Sequence, residues 1–343
     1  MKPERWTRDA LDALDLGDAI VVHDVRDAAG QVAITRGSRL TSADRDRLRG
    51  LAWEWLHVVR VLSDDVDEAA AGVRLARACA GDGVLAGQAG GGHWPLTAAH
   101  RGMLSVRVDA LNAVNVLDGL AVYTLPDEQV VERGETVARA KILPFLVPAV
   151  DLCLGEAAAD GGVVLVRPFV PHRVGAVVQE SLGSSALDRF HRSLSEKLAW
   201  FGGTLAAVHA VAPDTEPIAA AFRSLRRQVD LVVVAGTRAM DPLDPAFAAL
   251  AHAGGRLERI GAPAHPGSLL WIADLDGTPV VGMPSCGLFS RATVFDLALP
   301  RWFAGLPVDG AWLTRLGHGG LLTRDMSWRF PPYRPRLERG AVD

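Results

Sequence analysis

The sequence predicts an α/β protein whose main domain is a doubly wound, mostly parallel sheet with helices on both faces, preceded by smaller α+β and β-rich units. Three observations carry this. From Val163 onward, strand-like and helix-like runs alternate with short connections, the rhythm of a parallel sheet covered on both sides. Asp276-Gly277, between the last two strand-like runs, is a tight-hairpin pair, which makes one edge of the sheet antiparallel. The 343 residues exceed what one core usually holds, so further units are expected before this domain.

Residues 18–62 read as a compact α+β unit. An apolar run, Ala19–Val22, is followed by a turn at Ala29-Gly30, a helix start at Thr41 or Ser42 with Asp44 behind it, and a strand over Val58–Leu62. Residues 63–80 have helical spacing with acidic residues in the first turn, where the helix dipole favours them. The glycine-rich stretch Gly81–Pro95 reads as a loop or linker. It matches neither GxGxxG nor a Walker A sequence, although glycines of this density also suit a phosphate cradle. Residues 103–146 alternate turns with LSVRV, AVYTLP and TVARAKILPF, a β-rich pattern. The strands of the main domain are expected at Val174–Gln179, Thr204–Val208, Leu231–Ala235, Leu257–Gly261, Leu269–Ala273 and Pro279–Met283. Its helices are expected at Leu187–Phe201, Ile218–Gln228, Pro245–Ala253 and Leu288–Phe303. The expected domains are thus 1–62, 63–168, 169–306 and a C-terminal extension, 307–343.

Bulk properties narrow the function. Apolar residues at 49% and charged residues at 22% describe a folded globular chain. A net charge of −4, without a basic stripe interleaved with aromatics, argues against a nucleic-acid partner. Lys2, Lys141 and Lys197 are the only lysines, so a phosphate site would lean on arginine and backbone N–H groups. Cys79, Cys153 and Cys286 are far apart and form no CxxC or Cys/His metal spacing, which suits a reducing cytoplasm. The N-terminus lacks an apolar signal core. The longest mostly apolar stretch, Leu198–Ala212, is interrupted by Gly202-Gly203, so neither export nor membrane insertion is expected.

In an open α/β sheet the ligand crevice lies beyond the carboxyl ends of the strands, so the loops there hold the candidate site. After LVVVA come Gly236, which permits close backbone approach, Thr237 with its hydroxyl, Asp241, and Asp244 at an N-cap position before Pro245. After the next strand, Pro266-Gly267-Ser268 form a rigid turn behind His265. Pro284-Ser285-Cys286-Gly287 precede the last helix as an anion site, with Cys286 read as a small buried filler. The loop Gln179–Ser185 ends in Ser184 and Ser185, which suit a helix cap or a ligand contact. No GxSxG elbow, HExxH helix or Cys-His-Asp order is present, and the ten histidines are scattered singly.

These loops, in this order, resemble the molybdopterin-binding domain shared by molybdopterin adenylyltransferases, molybdopterin molybdotransferases and competence-damage-inducible proteins. The carrying residues are AGTRAMDPLD, HPGS and MPSCG. Outside that domain VDALNAVNV, ARAKILPF and LGHGGLL look like the molybdopterin-binding half of proteins that continue into a cytidylyltransferase-like domain. The resemblance spans about residues 18–322, and the chain is expected to act as a stand-alone binding module. It departs from the pattern at Pro284-Ser285-Cys286, where a glycine is usual, and in an Asp-bearing loop one residue short. The resemblance implies molybdopterin or the molybdenum cofactor as ligand, with Ser184, Ser185, Gly236, Thr237, Asp241, Asp244, Pro266, Gly267, Ser268, Pro284, Ser285, Cys286 and Gly287 around it. Asp241 and Asp244 are the candidate ligands of a Mg ion. It implies service to cofactor maturation or delivery to molybdoenzymes, and a homo-oligomer. Two alternatives stand beside it. One is a molybdotransferase that inserts molybdate. The other is a regulatory or scaffold protein that has lost its ligand, a reading suited by the tryptophans Trp53, Trp55 and Trp94.

Overall fold

A computed structural model describes residues 1–179, 184–283 and 293–333. The chain divides into two compact units. The first comprises Met1–Ala99, Ser105–Asp127 and Arg133–Val166. The second comprises His100–Leu104, Glu128–Glu132 and the chain from Arg167 onward.

In the first unit, β1 (Lys2–Thr7), β2 (Ala19–Val21) and β5 (Trp55–Arg60) form an antiparallel sheet beside the β3 (Val25–Arg26) and β4 (Val32–Ile34) hairpin and helix α1 (Asp44–Gly50). Trp6, Leu11, Val21, Ile34, Leu48 and Leu56 are buried together there. The charge-rich KPERWT segment carries no strand signal, yet β1 pairs with β5 over its whole length. After β6 (Asp65–Asp67), helix α2 (Glu68–Cys79) begins at Asp67, whose carboxylate accepts the Ala70 N–H. The glycine-rich stretch expected to be a loop is not wholly one. β7 (Val84–Ala86) is an edge strand paired to β8 (Trp94–Ala98), and between them Gly90 and His93 close a turn whose central Gly91 and Gly92 have φ of 59° and 76°. The paired residues Val84–Ala86 contain no glycine; the glycines flank them.

Strand β9 (Gly102–Val106) is followed by α3 (Val108–Asn115), a helix within the stretch read as β-rich. β10 (Leu120–Thr124), β11 (Val130–Val131), β12 (Thr136–Ile142), β13 (Leu146–Pro148), α4 (Ala149–Ala158) and β14 (Val164–Pro168) complete this part of the chain.

The second unit is built on a six-stranded mixed sheet. Its strands are β15 (Arg173–Val178), β16 (Thr204–Ala210), β17 (Leu231–Ala235), β18 (Arg256–Ile260), β19 (Trp271–Leu275) and β20 (Thr278–Gly282), in the order β16-β15-β17-β20-β19-β18. Ladders β15–β16, β15–β17 and β17–β20 are parallel, while β19 runs antiparallel to β18 and β20. The Asp276-Gly277 hairpin has φ of 55° and 85°, as a two-residue turn between twisted strands requires.

Strand alternation splits the core. Val174, Ala176, Val233 and Val281 face α5 (Ser184–Trp200) and α8 (Val294–Phe303), through Phe190, Leu194, Phe295 and Phe303. Val177, Val232, Val234 and Val280 face α6 (Thr215–Leu225) and α7 (Pro245–His252), through Ile218, Phe222 and Leu250. The segment after 306 is not a mere extension. α9 (Gly310–Arg315) buries Trp312 and Leu313 in the same core, and Trp312 Nε1 donates to Glu128, which also pairs with Arg301. No helix among the described residues is long and apolar enough to cross a membrane.

Candidate functional site

β18 is antiparallel to β19, and β19 to β20, so five strands of the second unit end on one edge of the sheet. At that edge β15 delivers Gln179, β17 delivers Gly236 and Thr237, and β18 leads to the turn holding Pro266 and Gly267. The ladder continues just past the strands, with Gln179 N–H donating to Ala235 O and Met283 N–H to Val234 O.

Asp244 organises this edge. It is 3% exposed and caps α7, its Oδ1 accepting the Ala246 N–H at 3.0 Å. Oδ2 accepts the Arg238 N–H at 2.7 Å, and Gln179 Nε2 donates to both oxygens at 2.9 and 3.1 Å. Gly236, at φ 84°, turns its carbonyl to the same Gln179 Nε2 at 3.2 Å. A carboxylate so surrounded by N–H donors is a brace for the loop and does not fit a cation. Asp241 is exposed, with Oδ1 accepting the Leu243 N–H at 2.9 Å. Both oxygens of Asp244 are thus engaged by N–H donors and one of Asp241, and no group of three metal-ligating side chains occurs among the described residues.

Thr237 is 9% exposed, and its Oγ1 accepts from Trp271 Nε1 at 3.1 Å. With its oxygen engaged by the indole, its own hydrogen is available to an acceptor. Pro266 accepts the Val294 N–H at 3.2 Å, and a methyl on Gly267 would lie 2.8 Å from Val294 N, so glycine lets this turn seat on the start of α8. Ser268 O holds the turn closed by accepting the Ala262 N–H at 2.9 Å. Ser184 and Ser185 are exposed at the start of α5. Pro284, Ser285, Cys286 and Gly287, like residues 180–183 and 288–292, lie outside the described residues.

Sequence reasoning missed Gln179 and Trp271. Gln179 is 3% exposed; Gly236 O and both carboxylate oxygens of Asp244 fix its Nε2, and its buried Oε1 has no hydrogen-bond partner among the described residues. A polar amide directly after the apolar run Val174–Val178 was the available signal.

Strand ends, a braced loop and an acceptor without a partner among the described residues define an α/β protein with a cluster of buried polar groups at the carboxyl edge of its sheet. No family profile matches the chain, and no curated protein matches it in sequence. Solved structures similar to it include a molybdopterin biosynthesis MoeA protein from Pyrococcus horikosii, with 14% identity, 70% of this chain and 74% of that one covered, and a TM-score of 0.31. A molybdenum cofactor biosynthesis protein from Pyrococcus furiosus follows, with 21% identity, 61% and 65% covered, and a TM-score of 0.25. A NadC deletion mutant shares 8% identity over 47% and 70%, with a TM-score of 0.18. At these levels the functional reading rests on the chain's own residues.

Proposed function

We propose that the second unit binds molybdopterin or the molybdenum cofactor at this edge and serves cofactor maturation or delivery to molybdoenzymes. The observation that supports it most is the buried Oε1 of Gln179, which has no hydrogen-bond partner among the described residues. A buried acceptor without a donor costs about 1–3 kcal/mol, a cost a ligand N–H removes. Thr237, at the end of the neighbouring strand, supplies the complementary hydroxyl hydrogen. An acceptor and a donor from neighbouring strand ends match the N–H and C=O groups along the edge of a pterin ring. The commitment of Asp244 to N–H donors favours binding over the metal-assisted insertion of molybdate.

The test is titration of apo-protein with molybdopterin, read as fluorescent oxidised pterin retained through gel filtration. Wild type is expected to retain it. Gln179→Leu and Asp244→Ala should each weaken retention by roughly tenfold or more, the equivalent of about 1.4 kcal/mol. Failure of the wild-type protein to retain pterin overturns the reading, and molybdate-dependent turnover by the loaded protein would replace it with the transferase.

A further inference from the structure

The first unit holds a cavity of about 770 Å³, within the size range of small-molecule sites and lined by none of the carboxyl-edge residues just described. Arg36 and Lys141 both line it. Neither side chain forms an ion pair among the described residues. Elsewhere in this unit Arg39, Arg49, Arg60 and Arg74 pair with carboxylates, while Arg8, Arg26, Arg45, Arg47 and Arg107 bond backbone carbonyl oxygens. Lys141 is also one of only three lysines in the chain. The two cations share the lining with two carboxylates, Asp67 and Glu68.

The rest of the wall supplies the other half of an anion site. Gly91 and Gly92 line the cavity from the tip of the β7–β8 turn, where Gly90 and His93 bond each other and the amides of the two central glycines make no backbone hydrogen bond among the described residues. Their positive φ values keep this tip to glycine, and a methyl on Gly92 would lie 3.3 Å from Glu68 Oε1 and 3.9 Å from Lys141 Nζ. Ser38 adds a hydroxyl. Two acids are also present: Asp67 is engaged in capping α2, which leaves Glu68 as an acceptor. Ile20, Val22 and Phe145 form an apolar floor.

We propose that this cavity binds a small phosphomonoester whose organic body carries hydrogen-bond donors. The phosphate lies between Arg36 and Lys141 against the Gly91-Gly92 tip. Glu68 accepts from the hydroxyl or amino groups of the body.

The test uses 5′-AMP and ribose 5-phosphate as probes, with adenosine and ribose as uncharged counterparts, titrated calorimetrically into the full chain. At least one phosphorylated probe is expected to bind, and its counterpart to bind at least tenfold more weakly. Arg36→Ala and Lys141→Ala should each lower affinity tenfold or more. Asp244→Ala, in the other unit, should leave it unchanged. Circular dichroism of the two cavity variants confirms their folding, since Arg36 is exposed and Lys141 half-buried. No binding of either phosphorylated probe overturns the proposal. So does binding that survives both cavity substitutions, or that disappears with Asp244→Ala.

Discussion

Lys197 donates to Asp296 across 2.6 Å within the core of the second unit, joining the last turn of α5 to the first turn of α8 with both side chains almost wholly removed from water. Asp296 accepts more besides. Its Oδ1 takes the Tyr333 hydroxyl at 2.9 Å, and its Oδ2 takes the Thr293 N–H and hydroxyl, each at 3.0 Å, in a capping box. Burial, followed by the Asp296 charge, holds the Tyr333 phenol well above its usual pKa, so it remains a donor. One carboxylate thus ties three segments of chain where α8 begins.

Removing the cation alone should therefore be costly. Lys197→Met leaves Asp296 charged and buried, a situation that costs about 3–5 kcal/mol. Lys197→Met with Asp296→Asn removes the charge and should recover part of that loss. Urea unfolding of the two variants checks this. A Lys197→Met cost below about 1 kcal/mol would show that water reaches the pair.

Asp244 carries a prediction that ordinary capping rules would miss. Asn is normally as good an N-cap as Asp. Here both carboxylate oxygens accept, and Gln179 Nε2 touches each. Asp244→Asn would place an N–H₂ group against an N–H donor, so its cost should approach that of Asp244→Ala, about 1–3 kcal/mol. Equal stability of the Asp244→Asn variant and wild type in thermal unfolding would show capping to be its whole role.

Much of this architecture is legible in the sequence. Leu231–Ala235 is the strand expected, and Pro245 opens α7 behind the N-cap Asp244 as its position implied. Other strands shift by one or two residues because apolar runs mark the buried centre of a strand, while hydrogen bonds set its ends. β18 begins at Arg256 and β20 at Thr278. What escaped was set by contacts between distant segments. β1 is charged because its partner β5 supplies the pairing, and Arg60 answers Glu4 across that ladder. The site was half legible. Small residues after β17 announced a crevice, but the bond of Gln179 to Asp244 spans 65 positions and no local pattern encodes it. Of the tryptophans that suited a scaffold, Trp94 is 2% exposed and belongs to the interior, whereas Trp55 is 42% exposed.

Acid should loosen the first unit through Glu4. Hydrogen bonds from Arg60 foremost, then from Trp6 Nε1, lower its pKa from 4.5 to about 2. A carboxylate depressed on folding contributes stability that is complete above its unfolded value and lost as pH falls through the folded one. The loss therefore falls between about pH 4.5 and about pH 2. Glu4→Gln should lower the melting temperature at pH 7 and flatten its decline across that window. An unchanged slope in scanning calorimetry would assign the acid response to other groups.

Thiol chemistry should separate the two described cysteines. Cys79 is fully buried in α2, and burial pushes its pKa up to about 12, while Cys153 is exposed beside Arg74. Thiolate is the reacting species, so in a Cys286→Ala background one thiol should react promptly with a chromogenic disulfide at pH 8 and the second only on unfolding. Two prompt thiols in the native protein would mean that α2 opens readily.

Gly282 and Trp271 show how packing reaches the candidate crevice. The two residues are paired across β19 and β20, and a methyl on Gly282 would lie 1.8 Å from Trp271 Nε1. Gly282→Ala must expel the indole from its place, at an overpacking cost of about 1–3 kcal/mol. It must also break the bond from Nε1 to Thr237. Trp271→Phe removes the donor without adding bulk, at about 1 kcal/mol for the hydrogen bond plus the cost of the cavity left by the smaller ring. Thr237 then rotates freely, and the proposed pterin should bind about fivefold more weakly, as the loss of about 1 kcal/mol dictates. Thr237→Val should weaken binding at least as much, and combining it with Trp271→Phe should add little, because both act through one hydroxyl hydrogen. Additive losses in the double variant would instead place the indole itself against the ligand.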